Sequence, residues 1–212
     1  MALSLADVAT ALAPFGIALS DAQLAAISRY VDLLLIWNQS VNLTAILDPV
    51  EIVSRHFGES IFAGSLISMH LGRLADVGTG AGFPGMPLKI AFPDLSVVLL
   101  EPNRKKCAFL TEAKSALGLS GVLSGVRIER TGYEGFNASQ LPFDFVCCRA
   151  LGNYRRFLRW ARTALGPQGR VILWLGVDDS IMVGRTRDWY WEIPVKIPES
   201  RRRVLLVGRP AI

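Results

Sequence analysis

A turn with three glycines at alternate positions constrains this chain more than any other feature. Gly78, Gly80 and Gly82 follow an apolar stretch that contains Asp76, and the residues after them are predicted to open a helix. Glycine lets the backbone adopt positive φ and lets a ligand approach with no Cβ in the way. A helix start offers unpaired N–H groups. We interpret this strand–turn–helix as a nucleotide site; the alternative is a tight turn that serves only close packing of helix on strand.

The spacing of the turn narrows the choice of ligand. G-x-G-x-G matches neither the G-x-G-x-x-G of dinucleotide folds nor the G-x-x-x-x-G-K-[ST] of phosphate loops. Asp76 stands two residues before the first glycine, and Glu101 ends the next predicted strand, 23 residues after Gly78. An acid at that strand end can accept hydrogen bonds from both ribose hydroxyls. Together these residues point to S-adenosylmethionine as the cofactor.

The periodicity of apolar residues changes near residue 70. Residues 4–13, 20–37 and 48–66 are predicted helices, and Ser20 with Gln23 forms a capping box at the start of the second. From residue 71, predicted strands over 73–77, 96–100, 126–130, 143–147 and 170–174 alternate with helices. With right-handed crossovers this pattern predicts an α/β, Rossmann-like, mostly parallel doubly wound sheet, closed by an antiparallel C-terminal strand. That strand belongs to a predicted antiparallel pair over 189–197 and 203–208. We therefore predict an N-terminal helical cap over 1–70 and a cofactor-binding domain over 71–212.

Composition limits the class of protein. The 212 residues are 51% apolar and 19% charged, which predicts a sizeable core and excludes a disordered chain. No uninterrupted apolar run reaches 18 residues, and no basic segment opens the chain, so neither a membrane span nor a signal peptide is expected. The three cysteines show no CxxC spacing, which favours a reducing cytoplasm, and two histidines argue against a histidine-rich metal site. A cytoplasmic monomer without metal is expected.

Positive charge is concentrated in the second half of the chain. The net charge is +5, and no carboxylate occurs between Arg149 and Arg170. Arg155, Arg156 and Arg159 recur at helical spacing inside this stretch. Attraction to nucleic-acid phosphates is the favoured interpretation. The alternative is a basic surface that keeps the protein in solution.

Further candidate residues follow the third and fourth predicted strands. Tyr133 and Glu134 stand where side chains commonly flank an adenine ring, and Arg149 emerges from a buried strand. A buried cation needs a partner, which could be a carboxylate, the cofactor or a substrate phosphate. No catalytic residue is assigned, because displacement at a sulfonium methyl depends mainly on positioning. An acceptor with a free lone pair, such as guanine N7, would need no general base.

These residues resemble the small-subunit ribosomal RNA methyltransferase G family. The shared motifs are W-N-x-x-x-N-L-T, ending at Thr44, then Arg55-His56-Phe57, and D-V-G-x-G-x-G-F-P-G, beginning at Asp76. The resemblance implies a class I S-adenosylmethionine-dependent methyltransferase fold. It also implies a cytoplasmic enzyme that methylates guanine N7 of 16S rRNA in the small ribosomal subunit.

The resemblance assigns roles to residues at matching positions. Arg55 and His56 are expected to contact RNA together with the arginines at 155, 156 and 159. The expected cofactor residues are Gly78, Gly80, Gly82, Phe83, Glu101, Tyr133, Glu134 and Arg149.

Several departures from the family pattern concern the site, and among them Glu59 stands in place of an aspartate and Tyr133 in place of an alanine. Glu101 takes the place of the usual aspartate after the second strand, and Leu175 stands where the family has a lysine after the fifth. A lysine there could contact phosphate or the target base. The sequence therefore leaves open a methyltransferase acting on another RNA or a small molecule, or a catalytically silent cofactor- and RNA-binding protein.

Overall fold

The computed structural model describes residues 3–118, 125–138, 142–149 and 151–211. The N-terminal part is helical, as predicted, with α1 (Leu5–Leu12), α2 (Asp21–Asn38), α3 (Pro49–Ile52) and α4 (Glu59–Leu66). The capping box at the start of α2 is present, since Ser20 and Gln23 each bond the other's backbone N–H. No helix in the described ranges is long and apolar enough to cross a membrane.

The rest of the chain forms one twisted sheet with helices on both faces. Its strands are β1 (Leu71–Val77), β2 (Asp94–Leu100), β3 (Val126–Glu129), β4 (Phe143–Arg149), β5 (Leu165–Gly176), β6 (Trp189–Trp191), β7 (Val195–Lys196) and β8 (Arg203–Pro210). The order is β3-β2-β1-β4-β5-β8-β6, and β7 pairs with β8. Strands β1 to β5 run parallel, whereas β8 is antiparallel to β5. The predicted doubly wound sheet with an antiparallel C-terminal strand is confirmed.

The connecting helices follow the same alternation. They are α5 (Gly85–Ala91), α6 (Arg104–Gly118), α7 (Tyr154–Ala164) and α8 (Val177–Gly184). Because the strand order reverses between β1 and β4, a crevice forms beyond the carboxyl ends of these two strands. The turn that follows β1 therefore opens into the crevice where ligands bind in sheets of this kind.

The structure differs from the sequence expectation in three elements. The helix expected over 48–66 is interrupted by a π-helical segment, Val53–Gly58. The strand expected over 189–197 is split into β6 and β7 on either side of Pro194, which has no N–H to donate to a ladder. Helix α8 was not predicted, because its short stretch carries no clear apolar period.

The N-terminal helices share their core with the sheet. Tyr30 of α2 is fully buried, and its ring centroid lies 5.6 Å from that of Phe57, 5.9 Å from Phe83 and 5.7 Å from Phe109. Its hydroxyl donates to the carbonyl oxygen of Ala81 at 2.9 Å. The helical segment therefore supports the glycine turn directly. The division into a cap over 1–70 and a domain over 71–212 stays a prediction.

Candidate functional site

A buried carboxylate holds the glycine turn in place. Asp76, at the end of β1, accepts hydrogen bonds from Thr79 Oγ1 at 2.5 Å and from the Gly85 backbone N–H at 2.8 Å. Burial raises the pKa of Asp76 to about 6, although the bonds from Thr79 and Gly85 act in the opposite direction. One side chain thus ties the end of the strand to the turn and to the start of α5.

The three glycines of the turn have two different tasks. Gly78, Gly80 and Gly82 all have positive φ, at 68°, 60° and 83°. A Cβ at Gly80 would meet nothing nearer than 4.0 Å, and one at Gly78 would meet only Leu151, at 3.3 Å. A Cβ at Gly82 would instead come within 2.5 Å of the Tyr30 hydroxyl. Gly80 therefore borders open space, Gly78 lies against Leu151, and Gly82 permits close packing of the turn on Tyr30. The interpretation of the turn as a nucleotide site stays a prediction.

Glu101 stands beside the turn at the end of β2. Its Oε2 accepts from the Gly80 backbone N–H at 2.9 Å, and its Oε1 accepts from the Asn103 N–H at 2.8 Å. The side chain is 5% exposed. A carboxylate has about four lone-pair sites, so each oxygen keeps one acceptor position after these bonds. The carboxylate is fixed in place and still able to accept two ribose hydroxyls.

The W-N-x-x-x-N-L-T motif acts on the site through a chain of hydrogen bonds. The Asn38 side chain accepts from the Leu43 and Thr44 backbone N–H groups and donates to the Thr44 carbonyl oxygen. The loop fixed in this way places Thr44 Oγ1 2.8 Å from His56 Nε2. The His56 ring in turn stacks on Phe83, with 4.5 Å between ring centroids. The motif therefore positions a histidine against the glycine turn, a link that sequence reasoning did not find.

A carboxylate surrounded by arginines lies next to this histidine. Glu59 is 1% exposed, and its Oε1 lies 2.5 Å from Arg203 Nη2 and 3.1 Å from Arg55 Nε. Its Oε2 lies 3.4 Å from Arg149 Nη2. Trp174 Nε1 donates to the Glu59 carbonyl oxygen at 2.9 Å. We call Arg55, Glu59, Arg149 and Arg203 the arginine cluster.

The arginine cluster carries more positive than negative charge. Burial lowers the pKa of Arg149 to about 10, and the charges of Arg203 and Arg55 add to this effect while Glu59 opposes it. Burial and the same three arginines lower the pKa of His56 to about 3, so its ring is neutral at pH 7. Arg149 Nη1 is buried and finds no hydrogen-bond partner within the described part of the chain. A bound anion, or an acceptor atom of a nucleic-acid base, could accept a hydrogen bond from Arg149 Nη1.

Sequence reasoning identified the cluster only in part. The expectation that Arg149 needs a partner is met by Glu59, which the motif comparison treated only as a variant of the family pattern. The spacing of Arg55 and Glu59, four residues apart on a helix, was the available signal. No local signal pointed to Arg203.

Tyr133 and Glu134 follow β3 at the same edge of the sheet. The Tyr133 ring is 8% exposed and lies against Trp160, with 5.6 Å between centroids, so most of it belongs to the core. Glu134 Oε1 lies 3.2 Å from Arg156 Nε. The cofactor role expected for this pair stays a prediction.

Leu175 is buried inside the sheet rather than placed at the arginine cluster. It lies opposite Val204 in the register of β5 and β8 and is 2% exposed. Its neighbour Trp174 points to the other face of the sheet, where it contacts Glu59. Leu175, which stands where the family has a lysine, therefore lies outside the arginine cluster and does not change it.

The predicted arginine helix is α7. Arg155, Arg156 and Arg159 are exposed on it, and the first turn holds no acidic residue. Cations near a helix N-terminus are unfavourable because they oppose the helix dipole. Arg155 and Arg156 therefore gain nothing from the helix dipole. Arg156 is paired with Glu134 instead, at 3.2 Å, and the role of these arginines toward RNA stays a prediction. No group of three His, Cys, Asp or Glu side chains in the described ranges could hold a metal ion.

Comparison with known proteins identifies the family. Residues 23–187 match the family model for rRNA small subunit methyltransferase G. A ribosomal RNA small subunit methyltransferase G from Pseudomonas fluorescens is 38% identical over 210 residues, which cover 97% of this chain and 95% of the relative. The chain belongs to this family. The matched range contains the glycine turn, Glu101, Arg149 and α7, whereas Arg203 lies beyond it.

Solved structures share the fold of this family member at low sequence identity. A MtNAS variant in complex with S-adenosylmethionine has a TM-score of 0.63 and 14% identity, covering 87% of this chain and 76% of that one. A ribosomal protein methylase from Lactobacillus delbrueckii subsp. bulgaricus has a TM-score of 0.55 and 15% identity, covering 75% and 80%. The predicted class I methyltransferase fold is confirmed.

Substitution of Asp76 by Asn should change how stability depends on pH. Because the folded-state pKa of about 6 exceeds the ordinary value of 3.8, the unmodified protein loses stability as pH rises from about 4 to 6. The Asp76→Asn variant lacks this loss, so its free energy of unfolding should rise relative to the unmodified protein, by at most about 1.4 kcal/mol per pH unit.

Urea unfolding at several pH values between 4 and 8 measures this difference. Asp188→Asn, at an exposed position, is the matched control for the replacement of an aspartate by asparagine. If the free energy of unfolding of the unmodified protein instead rose relative to that of Asp76→Asn as the pH increases, the pKa of Asp76 would be lowered in the folded state. That result would contradict this account.

Proposed function

We propose that this protein transfers the methyl group of S-adenosylmethionine to N7 of a guanine in 16S rRNA of the small ribosomal subunit. The observation that carries the proposal is the juxtaposition of the open glycine turn and a cation cluster with excess positive charge. The first suits a cofactor and the second suits RNA, and both lie in a chain of the rRNA small subunit methyltransferase G family. The proposal includes action as a monomer in the cytoplasm.

The turn fits the cofactor in three respects. Gly80 borders open space, so a ligand can approach the backbone there. Glu101 keeps two acceptor positions for the ribose hydroxyls. Phe83, 8% exposed, closes the turn on the side of His56. We assign Tyr133 and Glu134 to the adenine side of the same crevice.

The bound cofactor would supply an activated methyl group on a sulfonium, and the protein residues would supply position. Arginine commonly contacts guanine and also binds phosphate. A contact to O6 alone would leave the N7 lone pair free to attack the methyl group. Arg149, with its unpartnered Nη1, is placed to hold a base or phosphate near the turn. Guanine N7 carries a free lone pair, so no residue has to remove a proton before the transfer. His56 is neutral at pH 7, so it adds no positive charge beside a cationic methyl donor.

Methyl transfer to ribosomal subunits tests the proposal. Incubation with methyl-labelled S-adenosylmethionine and small subunits that lack the modification should place label in 16S rRNA, recovered as 7-methylguanosine. Subunits that already carry the modification are the control and should remain unlabelled. Cofactor and RNA binding without transfer would support the catalytically silent alternative, and label in another RNA or in a small molecule would support a different acceptor.

Substitution of Gly78 by Asp should abolish cofactor binding. The new carboxylate would add bulk and negative charge to the turn, with its Cβ 3.3 Å from Leu151 and at a backbone φ of 68°. We expect the dissociation constant for S-adenosylmethionine, measured by calorimetry, to rise more than about tenfold, which corresponds to about 1.4 kcal/mol.

Gly16→Asp provides the matched control for this substitution. Gly16 has φ of 66° and nothing within 4 Å of a built Cβ, so the variant carries the same backbone strain away from the turn. It should bind the cofactor normally. Equal affinity of the Gly78→Asp variant and the unmodified protein would refute the placement of the cofactor.

Replacement of the three α7 arginines at 155, 156 and 159 by Gln should weaken RNA binding and its dependence on salt. If each contacts one phosphate, the slope of log affinity against log salt concentration should become less negative by about 2, taking about 0.7 per contact for single strands. Titration of 16S rRNA fragments at several salt concentrations measures the slope.

A second triple variant tests whether the position of the charges matters. It removes three exposed arginines from other parts of the surface, namely Arg29, Arg127 and Arg187. Its slope should match that of the unmodified protein. A salt-independent affinity of the unmodified protein, or an equal change in both variants, would contradict the role given to α7.

A further inference from the structure

Two arginines and a tyrosine form a row across three neighbouring strands at the sheet end opposite the glycine turn. Val171 of β5 lies opposite Gly208 of β8, so Arg170 lies beside Arg209, and Tyr190 of β6 is paired with Arg209. Residues directly opposite each other in antiparallel strands point to the same face. We call Arg170, Arg209 and Tyr190 the edge platform.

The edge platform is open to solvent. Tyr190 is 55% exposed and the Arg170 side chain 44%. The Arg209 guanidinium carbon lies 5.3 Å from the centroid of the Tyr190 ring. It covers one side of the ring and leaves the rest accessible. A groove of about 440 Å³ runs along these residues, with Gln168 and Glu192 at its margins.

Packing in the hydrophobic core does not explain the presence of an aromatic side chain at Tyr190. Farther along the same face, Ile172 of β5 and Val207 of β8 are buried in the cluster that also contains the N-terminal helices. The edge platform begins where this helical covering ends. Glu192 lies 3.8 Å from Arg170, beyond hydrogen-bond distance, and its side chain is 58% exposed. An exposed pair of this kind contributes little to stability, so Arg170 is available to another anion.

We propose that the edge platform binds an unpaired RNA segment outside the methyl-transfer crevice. One base would stack on Tyr190, and the adjoining phosphates would lie against Arg170 and Arg209. Exposed aromatic rings on a sheet, combined with arginines, are the means by which proteins hold single-stranded RNA with little sequence preference. Two adjacent cations disfavour a basic or wholly apolar partner.

The position of the edge platform allows one RNA to reach both regions. Arg170 and Gly176 are six residues apart on β5, which corresponds to about 20 Å along the strand. Helices cover both faces of the sheet between the two regions, so RNA that reaches both would pass over the outer surface of these helices. Binding at this surface does not depend on the identity of the methyl acceptor.

Fluorescence anisotropy with a short, labelled, unstructured single-stranded RNA tests the inference. Tyr190→Ala should raise the dissociation constant about tenfold, as expected for loss of one stacked base, whereas Tyr190→Phe, which keeps the ring, should stay within about twofold of the unmodified protein. Because Tyr190 is exposed, both variants should fold, and thermal melting checks this. With 4-thiouridine in the RNA, ultraviolet cross-links should map to Trp189–Trp191.

Two variants that each lose one positive charge distinguish RNA binding at the edge platform from general electrostatic attraction of RNA to the protein. Arg209→Gln and Arg185→Gln each remove one exposed positive charge, and Arg185 follows α8, which packs on the opposite face of the sheet. Only Arg209→Gln should weaken binding. Equal losses in the two variants, unchanged affinity of Tyr190→Ala, or cross-links only to other segments would overturn the inference.

The outcome is distinguishable from failure of the proposed function. RNA binding that depends on Tyr190 in a protein without methyl transfer would leave the platform established and refute the proposed activity. Normal methyl transfer, together with RNA binding that Tyr190→Ala does not affect, would support the proposed activity and refute the role of the edge platform.

Discussion

The buried carboxylate of Asp76 is the interaction on which the geometry of the site depends. It accepts from Thr79, inside the glycine turn, and from Gly85, the first residue of α5. Leaving a buried N–H or O–H unpaired costs about 1–3 kcal/mol, so these bonds define one shape for the turn. The Tyr30 hydroxyl fixes the same turn from the helical segment, through the Ala81 carbonyl. The open side of Gly80 is a consequence of this double support.

Charge placement determines what can enter beside the turn. A lone buried Glu59 would be unfavourable, and so would three neighbouring arginines without a carboxylate. Together they are mutually stabilised, but one negative charge does not balance three positive ones, and Arg149 Nη1 finds no partner in the residues described. The site is therefore electrostatically incomplete without an anionic or acceptor-rich ligand. RNA fits this requirement, and the exposed arginines of α7 extend the positive surface outward.

The sequence predicts the sheet well, because buried parallel strands form apolar runs that alternate with helices. It also predicts the glycine turn and the acid beside it, since Asp76, the glycines and Glu101 occupy fixed places at the ends of β1 and β2. The arginine cluster could not be predicted in full. Arg203 and Glu59 are 144 residues apart and meet only because β8 inserts antiparallel next to β5, an arrangement that local patterns do not specify. The same limit applies to the edge platform, which requires the register of three strands.

A crystal structure with S-adenosylhomocysteine bound would test the central claim most directly. The account predicts that the ribose hydroxyls lie within hydrogen-bond distance of the Glu101 carboxylate and that the sulfur faces the side of Phe83 and the arginine cluster. A ligand bound elsewhere, or one whose sulfur faces away from Arg149, would contradict it.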